Sequence, residues 1–159
     1  MTTKTFSLTE IKQKLEYFCS YQERCHDDVT SKLFTFKTLE QERSEIIAHL
    51  IAENFLNEER FACSFARGKH RIKSWGNIRI VNELKSRHIS SRNITTALKE
   101  ISPDEYLETF EKLSELIWES ITEKKTTKKR KKFCDYLLRK GFESDLVYQK
   151  VKELEANKD

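Results

Sequence analysis

Apolar residues recur along this chain at helical spacing, with polar runs between the series. Leu8, Ile11, Leu15 and Phe18 form one series, and Phe61, Ala62, Phe65 and Ala66 a second. Leu107, Phe110, Leu113, Ile117 and Ile121 form a third. Steps of three and four residues put each set on one face of an α-helix. A start signal stands before each series. Ser7-Leu8-Thr9-Glu10 reads as a capping box, whose hydroxyl and carboxylate satisfy free amide donors of the first turn. Asn57 is placed to cap the second series. Ser102-Pro103-Asp104-Glu105 combines a capping serine, proline at the first position and acids facing the positive end of the helix dipole.

These starts lie about 45 to 50 residues apart, the mark of an internal repeat. Each interval holds one longer helix followed by two short ones. The segment IVNELKSRHISSRNITTALKEI (80–101) lies on FCDYLLRKGFESDLVYQKVKEL (133–154) without a gap. Leu84 then falls on Leu137, Ile89 on Phe142, Leu98 on Val151 and Ile101 on Leu154. The first interval, VTSKLFTFKTLEQERSEIIAHLI (29–51), matches less well and calls for about two extra residues before Ile46. A unit of ~50 residues has a small core, which stacking against neighbours enlarges. The expected architecture is all-α: three tandem three-helix repeats (1–56, 57–101 and 102–159) in an elongated, curved helical array.

Composition agrees with this picture. Three glycines and one proline are too few for the turns of an all-β protein, and 35% charged residues suit a chain with much surface relative to its core. The N-terminal MTTKTFSLTEIKQ lacks the apolar stretch of a signal peptide, and no run is long enough to span a bilayer. Cys19, Cys25, Cys63 and Cys134 show no C-x-x-C pair, so free thiols in a reducing cytoplasm are expected.

Charge changes the picture more. Residues 60–87 carry eight Lys or Arg against one acid, Glu83, and the run KKTTKKRKK (124–132) carries seven cations and none. The rest of the chain is net acidic. Two basic zones on an acidic body imply a polyanion or an acidic protein groove as partner. The first zone includes the stretch RGKHRIKSWGNIRI (67–80), where two of the three glycines, Gly68 and Gly76, are expected to turn the chain between helices. Candidate contacts are Arg60, Arg67, Lys69, Arg71, Lys73, Arg79, Lys85 and Arg87, with Lys128, Lys129 and Arg130 from the second zone. Arginine holds a carboxylate or phosphate in a bidentate fork, whereas lysine acts as a point charge. Trp75 reads either as a packing anchor beside Ile78 or as a platform for an unpaired base. The second run reads either as a solvated helix face or as a second polyanion contact.

Catalytic and metal signatures are missing. No Gly-rich phosphate loop is present, so ATP hydrolysis by this chain is not expected. Cys19, Cys25 and His26 lack the spacing of a zinc site. Cys63 lies on the Phe61/Phe65 face and reads as a small core residue. No partner for His49, His70 or His88 is visible in the sequence. No cofactor, metal or enzymatic activity is expected.

The middle segment, NEERFACSFARGKHRIKSWGNIRIVNELKSRHIS (57–90), resembles the signature of the RecX family, bacterial regulators of the recombinase RecA. The matching features are the acidic-polar-Arg-Phe-Ala run at 58–62, Phe65 and Arg67, and the basic approach to Trp75-Gly76. Arg79-Ile80, Glu83-Leu84 and a short basic link closed by Ile89 complete it. RCHDDVTSKL (24–33) is similar to the family's first repeat. Where the family has Lys-Gly before the closing Ile, this chain has Arg87-His88, while Gly141 keeps that glycine in the third unit. The resemblance implies a non-catalytic protein that lodges in the groove of the RecA–single-stranded DNA filament, and a monomer is expected. There it would suppress ATP hydrolysis, strand exchange and filament growth, contacting single-stranded DNA directly or through the filament. A competing expectation is a helix-turn-helix DNA-binding module within 78–98, with Arg92 and Asn93 opening a recognition helix. Against it, Glu143 and Asp145 stand at the equivalent place in the third unit.

Overall fold

The computed structural model describes residues 5–157, so the start of the stretch read for a signal peptide, residues 1–4, lies outside it. Among the described residues all regular structure is α-helical. The order is α1 (Leu8–Tyr21), α2 (His26–Phe34), α3 (Glu40–Ala52), α4 (Glu58–Lys73), α5 (Asn77–Ser86), α6 (Ser91–Leu98), α7 (Pro103–Ser120), α8 (Thr126–Lys140) and α9 (Ser144–Ala156). The chain is therefore three tandem three-helix repeats, and the first helix of each is its longest. No described helix is long and apolar enough to cross a membrane.

Local side chains set the starts. Ser7 Oγ accepts from the Glu10 N–H while Glu10 Oε1 accepts from the Ser7 N–H, both at 3.2 Å. Asn57 Oδ1 accepts from the Arg60 N–H at 2.9 Å, and Ser102 Oγ from the Glu105 N–H at 3.1 Å. Each bond satisfies a donor that the helix itself leaves open.

All three repeats share one register, without the insertion expected in the first. Val29, Ile80 and Phe133 occupy one fully buried position, and Leu33, Leu84 and Leu137 the next. Lys37 (φ 54°), His88 (φ 61°) and Gly141 (φ 99°) then take the same left-handed turn. Thr38, Ile89 and Phe142 close it as buried residues. The first repeat reads as shifted because Thr38 replaces the closing apolar residue. Its hydroxyl donates to the Leu33 carbonyl at 3.0 Å, where Ile89 and Phe142 make that bond with backbone N–H groups.

Two cores result. One, around Leu15, Leu33, Ile46 and Leu50, belongs to the first repeat. The other runs continuously from Phe61 and Ile80 through Phe110 to Phe133, Phe142 and Val151, so the second and third repeats share it. Cys25 is the first repeat's contribution to that larger core. The accessible surface is 10470 Å², against about 8,400 Å² for a compact monomer of this mass. The excess is that of a helical array.

Gly68 does not turn the chain. It lies inside α4, which continues through Arg67, Lys69 and Arg71 to Lys73, because the backbone ladder is unbroken there. The turn comes at Ser74, in the left-handed conformation (φ 57°).

Candidate partner-binding site

The corner where α4 gives way to α5 is fixed by the third repeat. Gly76 caps α5, its N–H donating to the Lys140 carbonyl at 2.7 Å, and the Ile78 N–H donates to the Gly141 carbonyl at 2.9 Å. A Cβ on Gly76 would stand 2.4 Å from the Gly141 backbone, and one on Gly141 would stand 2.4 Å from Arg79 Cβ. Only backbone fits here. The two turns are locked together, and the side chains flanking them share one surface.

Buried groups hold the corner from behind. His70 is fully buried, with Nδ1 2.9 Å from the Trp75 carbonyl and Nε2 3.1 Å from Thr109 Oγ1. A carbonyl only accepts, so Nδ1 donates its proton to Trp75, and the hydroxyl, which can donate or accept, pairs with Nε2. The His70 ring stacks on Tyr106 of α7, centroids 5.4 Å apart. Tyr106 Oη accepts from the Asn77 N–H at 3.1 Å and donates to the Glu143 carboxylate at 2.8 Å. Burial, ahead of the Glu143 charge, pushes that phenol well above its ordinary range.

The structure sorts the cations singled out from sequence into two groups. Those engaged with acids come first. Arg60 Nε pairs with Glu23 at 2.7 Å and its Nη2 donates to the Asn54 and Phe55 carbonyls, tying the first repeat to α4. Arg67 pairs with Glu100 at 3.0 Å, Arg71 with Glu105 at 2.8 Å and Arg87 with Glu83 at 3.0 Å. Arg71 draws the Glu105 carboxyl below its usual range. Arg130 pairs with Glu155.

The second group has no acidic partner among the described residues. Lys69 Nζ stands 5.0 Å and Arg79 Cζ 4.2 Å from the Trp75 ring centre. Lys73 ends α4 and is exposed, as are Lys85 on α5 and Lys128 near the start of α8. Lys129 Nζ rests 4.1 Å from the Trp118 ring centre. Trp75 is half-buried, edge-on to Phe65 at 6.1 Å, so it packs and faces the surface at once. Ile78, expected to pack beside it, is 47% exposed, because Ile80 and Leu84 supply the buried face of α5.

Arg139 and Lys140, absent from the candidates read in sequence, join this second group. Lys140 Nζ donates to the Lys73 carbonyl at 2.9 Å, and Arg79 Nη1 to the Arg139 carbonyl at 3.3 Å. Each repeat thus places a cation on the negative end of the other's helix. Burial, then Arg79 and Lys73, hold Lys140 below the ordinary lysine range. Lys73, Arg79 and Lys140 crowd one corner with no acidic partner among the described residues, an arrangement that an anion relieves. The only sequence signal for Arg139 and Lys140 was their place just before Gly141, opposite Ser86-Arg87 in the repeat register. Lys128 lies on the same helix as Lys140, about 18 Å along it at 1.5 Å per residue.

Family models decide the relationship. The model of the second three-helix domain of RecX matches residues 57–98, and that of its third three-helix domain matches residues 104–151. Together they take in more than half of the chain. The chain belongs to the RecX family. A regulatory protein RecX of Oceanobacillus iheyensis is 26% identical over 143 residues, covering 90% of this chain and 53% of that protein. One of Limosilactobacillus reuteri is 26% identical over 136 residues, covering 86% and 51%. The chain spans about half the length of these curated relatives. The crystal structure of RecX from Lactobacillus salivarius superposes with a TM-score of 0.79 at 25% identity, covering 94% of this chain and 97% of that one. Gly76 and Gly141 lie in the two matched domains, so the glycine contact is the seam between two RecX domains.

The other titratable groups have structural surroundings. All four cysteines are free and buried, and burial raises each thiol, Cys25 to about 11. Raised thiols are poor nucleophiles and poor metal ligands. His49 meets Glu16 at 3.3 Å and His88 meets Asp27 at 2.8 Å, so both have the partners that sequence did not reveal.

Proposed function

We propose that this chain is a non-catalytic regulator of recombination. It binds the filament that RecA forms on single-stranded DNA and inhibits the filament's ATPase, strand exchange and extension. The observation that carries this reading is the corner of Lys73, Arg79 and Lys140 beside Trp75, unpaired with any acid among the described residues and fixed by the Gly76–Gly141 lock. Cations pre-set on rigid backbone lose little freedom when a phosphate or carboxylate arrives. The corner is the primary contact. Lys128 and Lys129, further along α8, extend it along the filament.

The test is co-sedimentation of this protein with RecA assembled on single-stranded DNA. Binding to the filament, with ATP hydrolysis falling at substoichiometric protein, is the expected result. Failure to sediment with filament would overturn the reading. A duplex titration with about 1,000-fold preference for one sequence would instead favour the helix-turn-helix alternative at α5–α6.

A further inference from the structure

A groove lies in the first repeat, ahead of both matched domains and away from the glycine seam. Its volume is about 870 Å³. Five of its ten lining residues are aromatic (Phe6, Tyr17, Phe18, Tyr21 and Phe36), and Lys14, Arg24 and Lys32 bring three cations against one acid, Glu10. Among the described residues no Leu, Ile, Val or Met lines it. A groove built to take a partner helix offers aliphatic side chains to interdigitate with, whereas this one offers ring faces and positive charge.

The rings and cations are arranged in two tiers. Arg24 Cζ stacks 3.7 Å from the Phe18 ring centre, Lys32 Nζ lies 5.7 Å from Phe18 and 5.8 Å from Phe36, and Lys14 Nζ lies 4.4 Å from Phe6. The Arg24 Nε also donates to the Phe18 carbonyl at 3.0 Å, which fixes its plane. Phenylalanines therefore anchor the cations, and none of the three is in an ion pair with an acid among the described residues. Tyr17 and Tyr21 carry no cation. They stand one turn apart on α1, rings 6.4 Å apart, and are 71% and 72% exposed. Two open tyrosines cost free energy in water and serve no core, since the buried face of α1 is Ile11, Leu15 and Cys19.

We infer that this groove is a second binding site, for an unpaired nucleic-acid strand whose bases stack on Tyr17 and Tyr21 and whose phosphates meet Lys14, Arg24 and Lys32. The chemistry is that of single-strand binding in general: planar rings receive any base, and cations follow the backbone. Duplex DNA keeps its bases inside and gains only the charge contacts. The inference does not rest on the proposed recombinase partner.

The experiment uses the full chain without any recombinase. Fluorescence anisotropy of a labelled oligothymidylate is followed for wild type, Tyr17→Ala/Tyr21→Ala and Tyr17→Phe/Tyr21→Phe. The alanine pair should bind at least tenfold more weakly with unchanged helical content, the phenylalanine pair should bind like wild type, and unlabelled duplex or thymidine monophosphate should compete poorly. Equal affinity of the alanine pair would overturn the inference. So would the absence of wild-type binding at low ionic strength, or effective competition by duplex, by the mononucleotide or by polyglutamate. Because no filament is present, this result and the filament result fail independently.

Discussion

At the scale of single residues, the three glycines have unequal roles. Gly76 and Gly141 face backbone at 2.4 Å, whereas Gly68 has nothing within 4 Å of where its Cβ would be. Gly76→Ala should destabilise the fold by about 1–3 kcal/mol, the usual cost of forcing atoms into a packed contact. Gly68→Ala should stabilise it by about 0.5–1 kcal/mol, since glycine inside a helix loses more backbone freedom. Urea denaturation of the two variants checks both signs. Lys140 gives a pH-dependent prediction. Its folded value lies below the ordinary 10.5, so between the two values the unfolded chain binds more protons. Stability from this group therefore rises as pH climbs through that window. A bound anion favours the charged form, so anion affinity at the corner should fall over the same window. Titrating binding against pH should show this fall in wild type and its loss in Lys140→Gln.

At the scale of helices, what sequence revealed and what it hid follow from the range of the interactions. The starts at Ser7, Asn57 and Ser102 were legible because a cap acts within three residues of itself. The register of the second and third repeats was legible because apolar positions repeat at helical spacing. The first repeat looked offset because a threonine hydroxyl does there what backbone does elsewhere. Gly68 read as a turn on composition alone, yet helix propensity is a weak constraint beside the packing of Phe61, Ala62 and Ala66. The basic zone was legible as charge, but not which cations were already engaged. Their acids lie 33 residues away for Arg67, 34 for Arg71 and 37 for Arg60. Tyr106 belongs to this long-range class, joining the start of α5 to the start of α9. Tyr106→Phe leaves the Asn77 N–H and Glu143 without their partner and should cost about 1–3 kcal/mol, read from the midpoint of thermal unfolding.

At the scale of the whole molecule, the division of the core matters most. The second and third repeats share one core and a glycine seam, while the first keeps its own and meets the rest through Cys25, Arg60–Glu23 and His88–Asp27. Native-state hydrogen exchange should therefore show two classes of protection: α4, α5, α7 and α8 opening together, and α1–α3 opening at a lower free energy. The second and third repeats thus form one body beside a separately stabilised first repeat.

We propose that the corner at the seam acts on the RecA filament. Its most direct test is the single-stranded-DNA-dependent ATPase of the cognate RecA with three forms of this protein: wild type, Lys73→Glu/Arg79→Glu/Lys140→Glu, and Arg67→Gln/Arg71→Gln. Wild type and the glutamine pair should inhibit alike, because Arg67 and Arg71 are committed to Glu100 and Glu105. The triple reversal should lose inhibition by at least tenfold in the concentration required, with its helical content intact. Full inhibition by the triple reversal, or none by wild type, would contradict the account.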